Sequence, residues 1–191
     1  MKLVFATHNQ NKFNEVKILM PKAIELISLT DLKCYDEIPE TGATLEENAK
    51  LKADFVTKNY ELPCFADDTG LLVDALNGAP GVFSARYAGP LKDAHANMDK
   101  LLGELDTKTQ REAHFKTVIA LNFNGKTTLF SGRVYGEITL QKSGDKGFGY
   151  DPIFRPNGYQ QTFAELPLAI KNSIGHRGKA IQQLITFLGA L

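Results

Sequence analysis

Charge of one sign is what this sequence most plainly lacks. Its 191 residues carry 22 Lys and Arg against 22 Asp and Glu, which leaves no cationic excess to hold a nucleic-acid backbone or an anionic membrane surface, and neither partner is expected. Cysteine is scarce as well. Cys34 and Cys64 show neither CxxC spacing nor the His pattern of a zinc site, so both are expected as the reduced thiols of a cytoplasmic protein. No apolar run approaches the length of a membrane span. Leu3-Val4-Phe5-Ala6 gives way to polar Thr7 too soon for a signal-peptide core. Tandem repeats, low-complexity tracts and Pro/Gly linkers are also missing, so residues 1–191 read as one unit.

What is present is an interleaving of strand and helix patterns. Leu3 to Ala6 reads as a buried strand, and Phe13, Val16, Leu19 and Met20 follow at helical spacing until Pro21. A second strand is predicted over Ile24 to Leu29. Thr44-Leu45-Glu46-Glu47 has capping-box spacing and opens a helix to about Lys58. Cys64 to Ala66 and Leu71 to Val73 read as two strands flanking Asp67-Asp68-Thr69-Gly70, which puts that acidic cluster at a strand end. Asp93 is a candidate cap for a helix striped by Met98, Leu101, Leu102 and Leu105. Alternation from Ala113 to Phe123 runs into Asn124-Gly125, the preferred tight-turn dipeptide, with a return strand over Thr127 to Tyr135. A last helix is expected over His176 to Leu188, with Gly189 beyond its end. Crossover helices together with a hairpin mean an α/β fold with a mixed sheet.

Four clusters carry chemistry. The first is Thr7-His8-Asn9-Gln10-Asn11-Lys12, between the first strand and the first helix. A helix start offers unpaired N–H groups and a positive dipole end, and Lys12 adds a full charge, so the loop can cradle phosphate. It lacks the glycines and the Gly-Lys-Ser/Thr ending of a Walker loop, and a polar connector with Asn caps is the plainer reading. The second is Asp67-Asp68. Adjacent carboxylates repel unless they face apart or share a cation, and Mg²⁺ with phosphate oxygens is the natural third party. Glu40 and Glu47 are further acids upstream in the sequence; the plainer reading is a turn residue and a cap.

The third cluster is Gly147-Phe148-Gly149-Tyr150-Asp151-Pro152, where glycines let the backbone approach a flat ligand and Phe148 or Tyr150 can stack on a base. Core packing of the same rings is the alternative. The fourth is Lys171 with His176-Arg177. These donors suit a carbonyl oxygen or a phosphate, unless they mark a solvated helix start.

Read in order, these residues carry a resemblance. Thr7-His8-Asn9 with Lys12 and Glu15, Glu40-Thr41-Gly42, Glu47-Asn48-Ala49 with Lys52, Ala66-Asp67-Asp68-Thr69-Gly70, Pro80-Gly81-Val82-Phe83-Ser84-Ala85-Arg86-Tyr87, Gly147 to Pro152, and Lys171 with His176-Arg177 resemble the inosine triphosphate pyrophosphatase family over nearly the whole chain. His8, Lys146 and Gly175 depart from that family's usual residues without removing a charged or catalytic group.

The resemblance implies a two-lobed α/β fold around a long mixed sheet with flanking helices and an active cleft between the lobes. It implies one catalytic domain over residues 1–191, acting as a homodimer. The implied activity is Mg²⁺-dependent hydrolysis of the noncanonical purine nucleotides ITP, dITP and XTP to the monophosphate and pyrophosphate. Alternatives are a phosphatase that releases phosphate and a nucleotide sensor without turnover. By the same resemblance Thr7, His8, Asn9, Gln10, Asn11, Lys12 and Lys52 hold the triphosphate, Asp68 is the metal-linked general base, and Glu40 is a further metal ligand. Thr69 contacts substrate, while Phe148, Gly149, Tyr150, Asp151, Lys171, His176 and Arg177 form the nucleobase side. A 6-oxo purine presents an acceptor to His176 or Arg177 where adenine presents a donor, a mismatch of about 1–3 kcal/mol per buried group.

Overall fold

The computed structural model describes residues 1–190. Six strands form one mixed sheet in the order β2-β1-β3-β4-β5-β6. Strand β1 (Lys2–Phe5) runs parallel to β2 (Glu25–Ser28) and to β3 (Cys64–Val73). Strands β4 (Glu112–Phe123) and β5 (Lys126–Ile138) are joined at Asn124-Gly125, whose φ values of 49° and 73° are those the dipeptide tolerates in a tight hairpin. Strand β6 (Phe154–Pro156) lies antiparallel to β5.

Five α-helices accompany the strands among the described residues: α1 (Gln10–Leu19), α2 (Leu45–Tyr60), α3 (Ala94–Glu104), α4 (Leu168–Ile174) and α5 (His176–Gly189). Their ends follow local chemistry. Asn9 caps α1 by accepting from the N–H groups of Asn11 and Lys12, and Met20, the residue before Pro21, is already extended. The capping box at α2 is complete, with Thr44 accepting from Glu47 N–H and Glu47 reaching back to Thr44 N–H. Asp93 caps α3 through Ala96 N–H at 2.8 Å.

The chain forms two compact units. Unit 1 comprises Met1–Asp68, Thr117–Gly132 and the residues from Arg177 on. Its core joins Leu3, Phe5, Val16, Phe65, Ile119 and Leu184, with the Phe5 and Phe65 rings stacked at 4.6 Å. Unit 2 comprises Thr69–Lys116 and Arg133–His176 and is centred on Leu71, Leu101, Phe115, Ile153, Phe154 and Phe163.

Three expectations change. Asp67-Asp68-Thr69-Gly70 does not separate two strands; it lies inside β3, a single ten-residue strand. The strand continues because cations neutralise the acids, as described below, and because Gly70 has no side chain: a Cβ there would meet Gly81 O at 2.7 Å. Helix α4 has no counterpart in the sequence reading. Gly189 belongs to α5 rather than lying past it, and Gly175 closes α4 through an N–H to Lys171 O bond of 2.8 Å.

Candidate active site

Unit 1 gathers its charged residues in one place. Lys12 and Glu15, three apart, share a face of α1. Lys12 Nζ donates to Asp67 Oδ1 at 3.0 Å. Arg177, near the start of α5, donates from Nε to Asp67 Oδ2 at 3.2 Å and from Nη1 to Glu15. Asp67 is 1% exposed and Arg177 4%, so these are desolvated ion pairs whose value depends on each partner being present. One residue further along β3, Asp68 Oδ1 accepts from Lys52 Nζ of α2 at 3.3 Å, and the same ammonium lies 2.5 Å from Glu40 Oε1. The other Asp68 oxygen accepts from Asn48 Nδ2 at 3.2 Å.

These surroundings set the two neighbouring aspartates apart. Burial alone would raise the Asp67 carboxyl, but Lys12, Arg177 and Lys52 outweigh it and hold the group well below the usual carboxylate range. Burial dominates at Asp68: it raises the carboxyl against the pull of Lys52 and Lys12, a pull that repulsion from Glu40 and Asp67 in part cancels, so its pKa is raised. Burial lowers Lys12 despite Asp67. Lys52 is likewise desolvated, but Asp68, Glu40 and Asp67 together raise it. Asp67 is thus a fixed charge, while Asp68 is the more basic carboxylate of the pair, the property a proton acceptor needs.

The first loop is more committed than its sequence suggests. Thr7 Oγ1 accepts from Asn9 N–H at 3.2 Å. The N–H groups of Asn11 and Lys12 are taken by Asn9 Oδ1 at 3.0 and 3.2 Å. Gln10 donates to Asn14, and exposed His8 meets Asp36 O at 2.9 Å. The loop therefore presents the Lys12 ammonium, while two N–H groups expected to cradle phosphate serve the helix cap.

Unit 2 holds its own polar cluster. Lys171 Nζ donates to buried Asp151 Oδ2 at 2.5 Å and lies 4.7 Å from the Phe148 ring centroid. Asp151 also accepts from Phe148 N–H at 2.9 Å, across a loop where Gly147 and Gly149 have φ of 75° and 65°. Tyr150 is a core residue whose hydroxyl donates to Ser84 O at 2.8 Å, so the packing alternative holds for its ring. His176 is buried against Phe115, with ring centroids 4.7 Å apart. Thr69 follows Asp68 in β3 and is half-buried.

Residues 3–187 match the model of the Ham1 family. The chain belongs to the Ham1 family. A Flavobacterium johnsoniae protein named dITP/XTP pyrophosphatase is 59% identical to this Ham1 chain over 190 residues, covering 100% of the chain and 99% of the relative. Two solved Ham1 proteins share the fold. The Staphylococcus aureus protein has a TM-score of 0.90 at 42% identity, covering 100% and 99% of the two chains, and the Coxiella burnetii protein 0.92 at 41%, covering 100% of each.

Within the Ham1 chain, the guanidinium of Arg177, which the resemblance sets on the nucleobase side, donates to Asp67 and Glu15, in the cluster that contains Lys12. Asp67 is the centre of that cluster, a role its place in a run of two acids did not announce. Asn48 and Glu15 were visible only as members of motifs; buried polar side chains with charged partners are what single them out. Asn97, with no assigned role in sequence, accepts from Ala88 N–H at 2.6 Å and donates to Ala85 O at 3.0 Å, which ties α3 to the end of the Gly81–Arg86 segment and the residues just after it.

Proposed function

We propose that the chain hydrolyses dITP, ITP and XTP to the nucleoside monophosphate and pyrophosphate, removing noncanonical purines from the nucleotide pool. In this reading it acts as one catalytic domain over residues 1–191, as a homodimer, in the cytoplasm. The 59% identity to a dITP/XTP pyrophosphatase over essentially both full lengths supports it. No helix among the described residues is long and apolar enough to cross a membrane.

One observation carries the chemical part: Lys52 Nζ bridges Glu40 and Asp68 at 2.5 and 3.3 Å. Two hard oxygen donors converging on a single positive charge fit a divalent cation. No group of three metal-binding side chains gathers among the described residues, which suits a cation such as Mg²⁺ that commonly keeps water and takes phosphate oxygens beside one or two carboxylates. Glu40 and Asp68 would hold it. When bound, Mg²⁺ neutralises phosphate charge and polarises the scissile phosphoanhydride.

The residues do the rest. Lys12 and Lys52 offset the charge of the triphosphate and of the departing pyrophosphate. Asp68, its carboxyl raised by burial and by the neighbouring acids, takes a proton from water as the oxygen bonds to the α-phosphorus and the bond to the bridging oxygen breaks. Thr7, His8, Asn9, Gln10 and Asn11 shape the loop that carries Lys12, and Thr69 contacts substrate. Arg177 acts on the phosphate side by holding Asp67. Lys171, paired with Asp151 beside Phe148, offers a donor for a 6-oxo group, and a purine with an amino group there meets donor with donor, a mismatch of roughly 5- to 150-fold.

The test is to incubate the purified protein with Mg²⁺ and dITP, XTP or ATP and to separate the products by anion exchange. Monophosphate with pyrophosphate from dITP and XTP, and little from ATP, is the expected result. Release of orthophosphate, or binding without turnover, overturns the reading in favour of a phosphatase or a sensor.

A further inference from the structure

Asn48 sits in the second turn of α2 at 0% exposure, and its amide connects two parts of the site. Oδ1 accepts from Gly42 N–H at 2.8 Å, and Nδ2 donates to Asp68 Oδ2 at 3.2 Å. A backbone N–H can only donate, so the Gly42 contact decides which end of the amide is oxygen and turns the NH₂ group toward Asp68. Since Lys52 holds the opposite oxygen at 3.3 Å, the rotation of this carboxylate is set from both sides. Gly42 makes the approach possible: a Cβ there would lie 2.8 Å from Asn48 Oδ1 and 2.6 Å from Glu47 Cβ. Glu40 is two residues upstream on the same segment, which the Asn48–Gly42 bond ties to β3.

We propose that Asn48 is a positioning residue for the hydrolysis: it holds Asp68 with one oxygen toward Lys52, ties it to the segment that carries Glu40, and does not touch the nucleotide. The proposal rests on the reading of Asp68 as proton acceptor. A residue that acts through the orientation of Asp68 governs the chemical step more than nucleotide affinity, so its loss falls on kcat rather than on KM.

Asn48→Asp is the sharpest probe. It keeps the size of the side chain and an acceptor for Gly42 N–H, but replaces the donor facing Asp68 with a second carboxylate. The expected result with dITP is a fall in kcat of about ten- to hundredfold with KM changed by no more than about threefold. Asn48→Ser removes the same donor without adding charge, is expected to show the same split, and serves if the aspartate variant does not fold. Gly42→Ala reaches the amide from its other side and reproduces the kcat defect. The swapped pair Asn48→Asp with Asp68→Asn restores donor and acceptor in reversed order, recovering the melting temperature lost by Asn48→Asp while staying inactive.

Folded Asn48→Asp or Asn48→Ser protein with kcat within about twofold of wild type, or with a defect confined to KM or to melting temperature, overturns the proposal. Asp68→Asn alone separates the two levels. If it is inactive while the Asn48 variants keep wild-type kcat, Asp68 retains its role and Asn48 loses its own; if it turns over at the wild-type rate, the reading of Asp68 fails and the positioning role with it.

Discussion

Arg177 donates to two carboxylates, Asp67 and Glu15, from a position 4% exposed. Removing it leaves those acids desolvated with less cationic charge to balance them, at a cost of about 3–5 kcal/mol. Arg177→Ala is therefore expected to lower the midpoint of urea unfolding and, in the protein that remains folded, to reduce turnover of dITP and ATP by the same factor. A larger loss on dITP would return Arg177 to the nucleobase. Glu165 shows the opposite situation, an accessible acid set by hydrogen bonds. It accepts from Thr162 N–H and from Ser143 Oγ, each at 2.7 Å, and the backbone bond, with help from Ser143, lowers its pKa. The sign follows: the unfolded chain binds this proton more readily, so the contribution to stability is present above the unfolded value of about 4.3 and is lost as pH falls through the lower folded value. An NMR titration of the Glu165 carboxyl is expected to place its midpoint below that of an unstructured glutamate.

Helix α2 brings Asn48 and Lys52 to the site one turn apart, starting from a cap that sets its first residue. Thr44→Ala removes that cap and is expected to cost about 1 kcal/mol of unfolding free energy, read from urea denaturation, with kcat per folded molecule unchanged. The capping box was legible because its signal is local, three residues apart, and the β4–β5 hairpin was legible for the same reason. Strand β3 was not. Asp67-Asp68-Thr69-Gly70 has the composition of a turn, and what keeps it extended lies elsewhere: Arg177 is 110 residues from Asp67, and Lys12 is 55. Ion pairs over such separations leave no spacing to read. The loop around Tyr150 was ambiguous for another reason, since a tyrosine that follows a glycine looks the same whether it meets a base or, as here, donates its hydroxyl to Ser84 O. Motif content, by contrast, named most of the residues that now surround Asp68, though not which of them pair.

For the molecule as a whole, the proposed cation belongs to catalysis and not to the fold. Each unit has its own aromatic and aliphatic core, and no cluster of three metal-binding side chains exists among the described residues. EDTA is therefore expected to abolish hydrolysis while shifting the melting temperature of the nucleotide-free protein by less than about 2 °C, checked by scanning calorimetry beside the activity assay. A larger shift would point to a structural metal. The two cysteines bear on a different matter. Cys34 is 1% exposed and Cys64 0%, and burial raises the Cys64 thiol far from its reactive form. Nitrosating agents convert exocyclic amino groups of purines to oxo groups and also attack accessible thiols. In this chain they find no accessible thiol, so an assault that creates the substrate leaves the sulfur chemistry of its scavenger untouched.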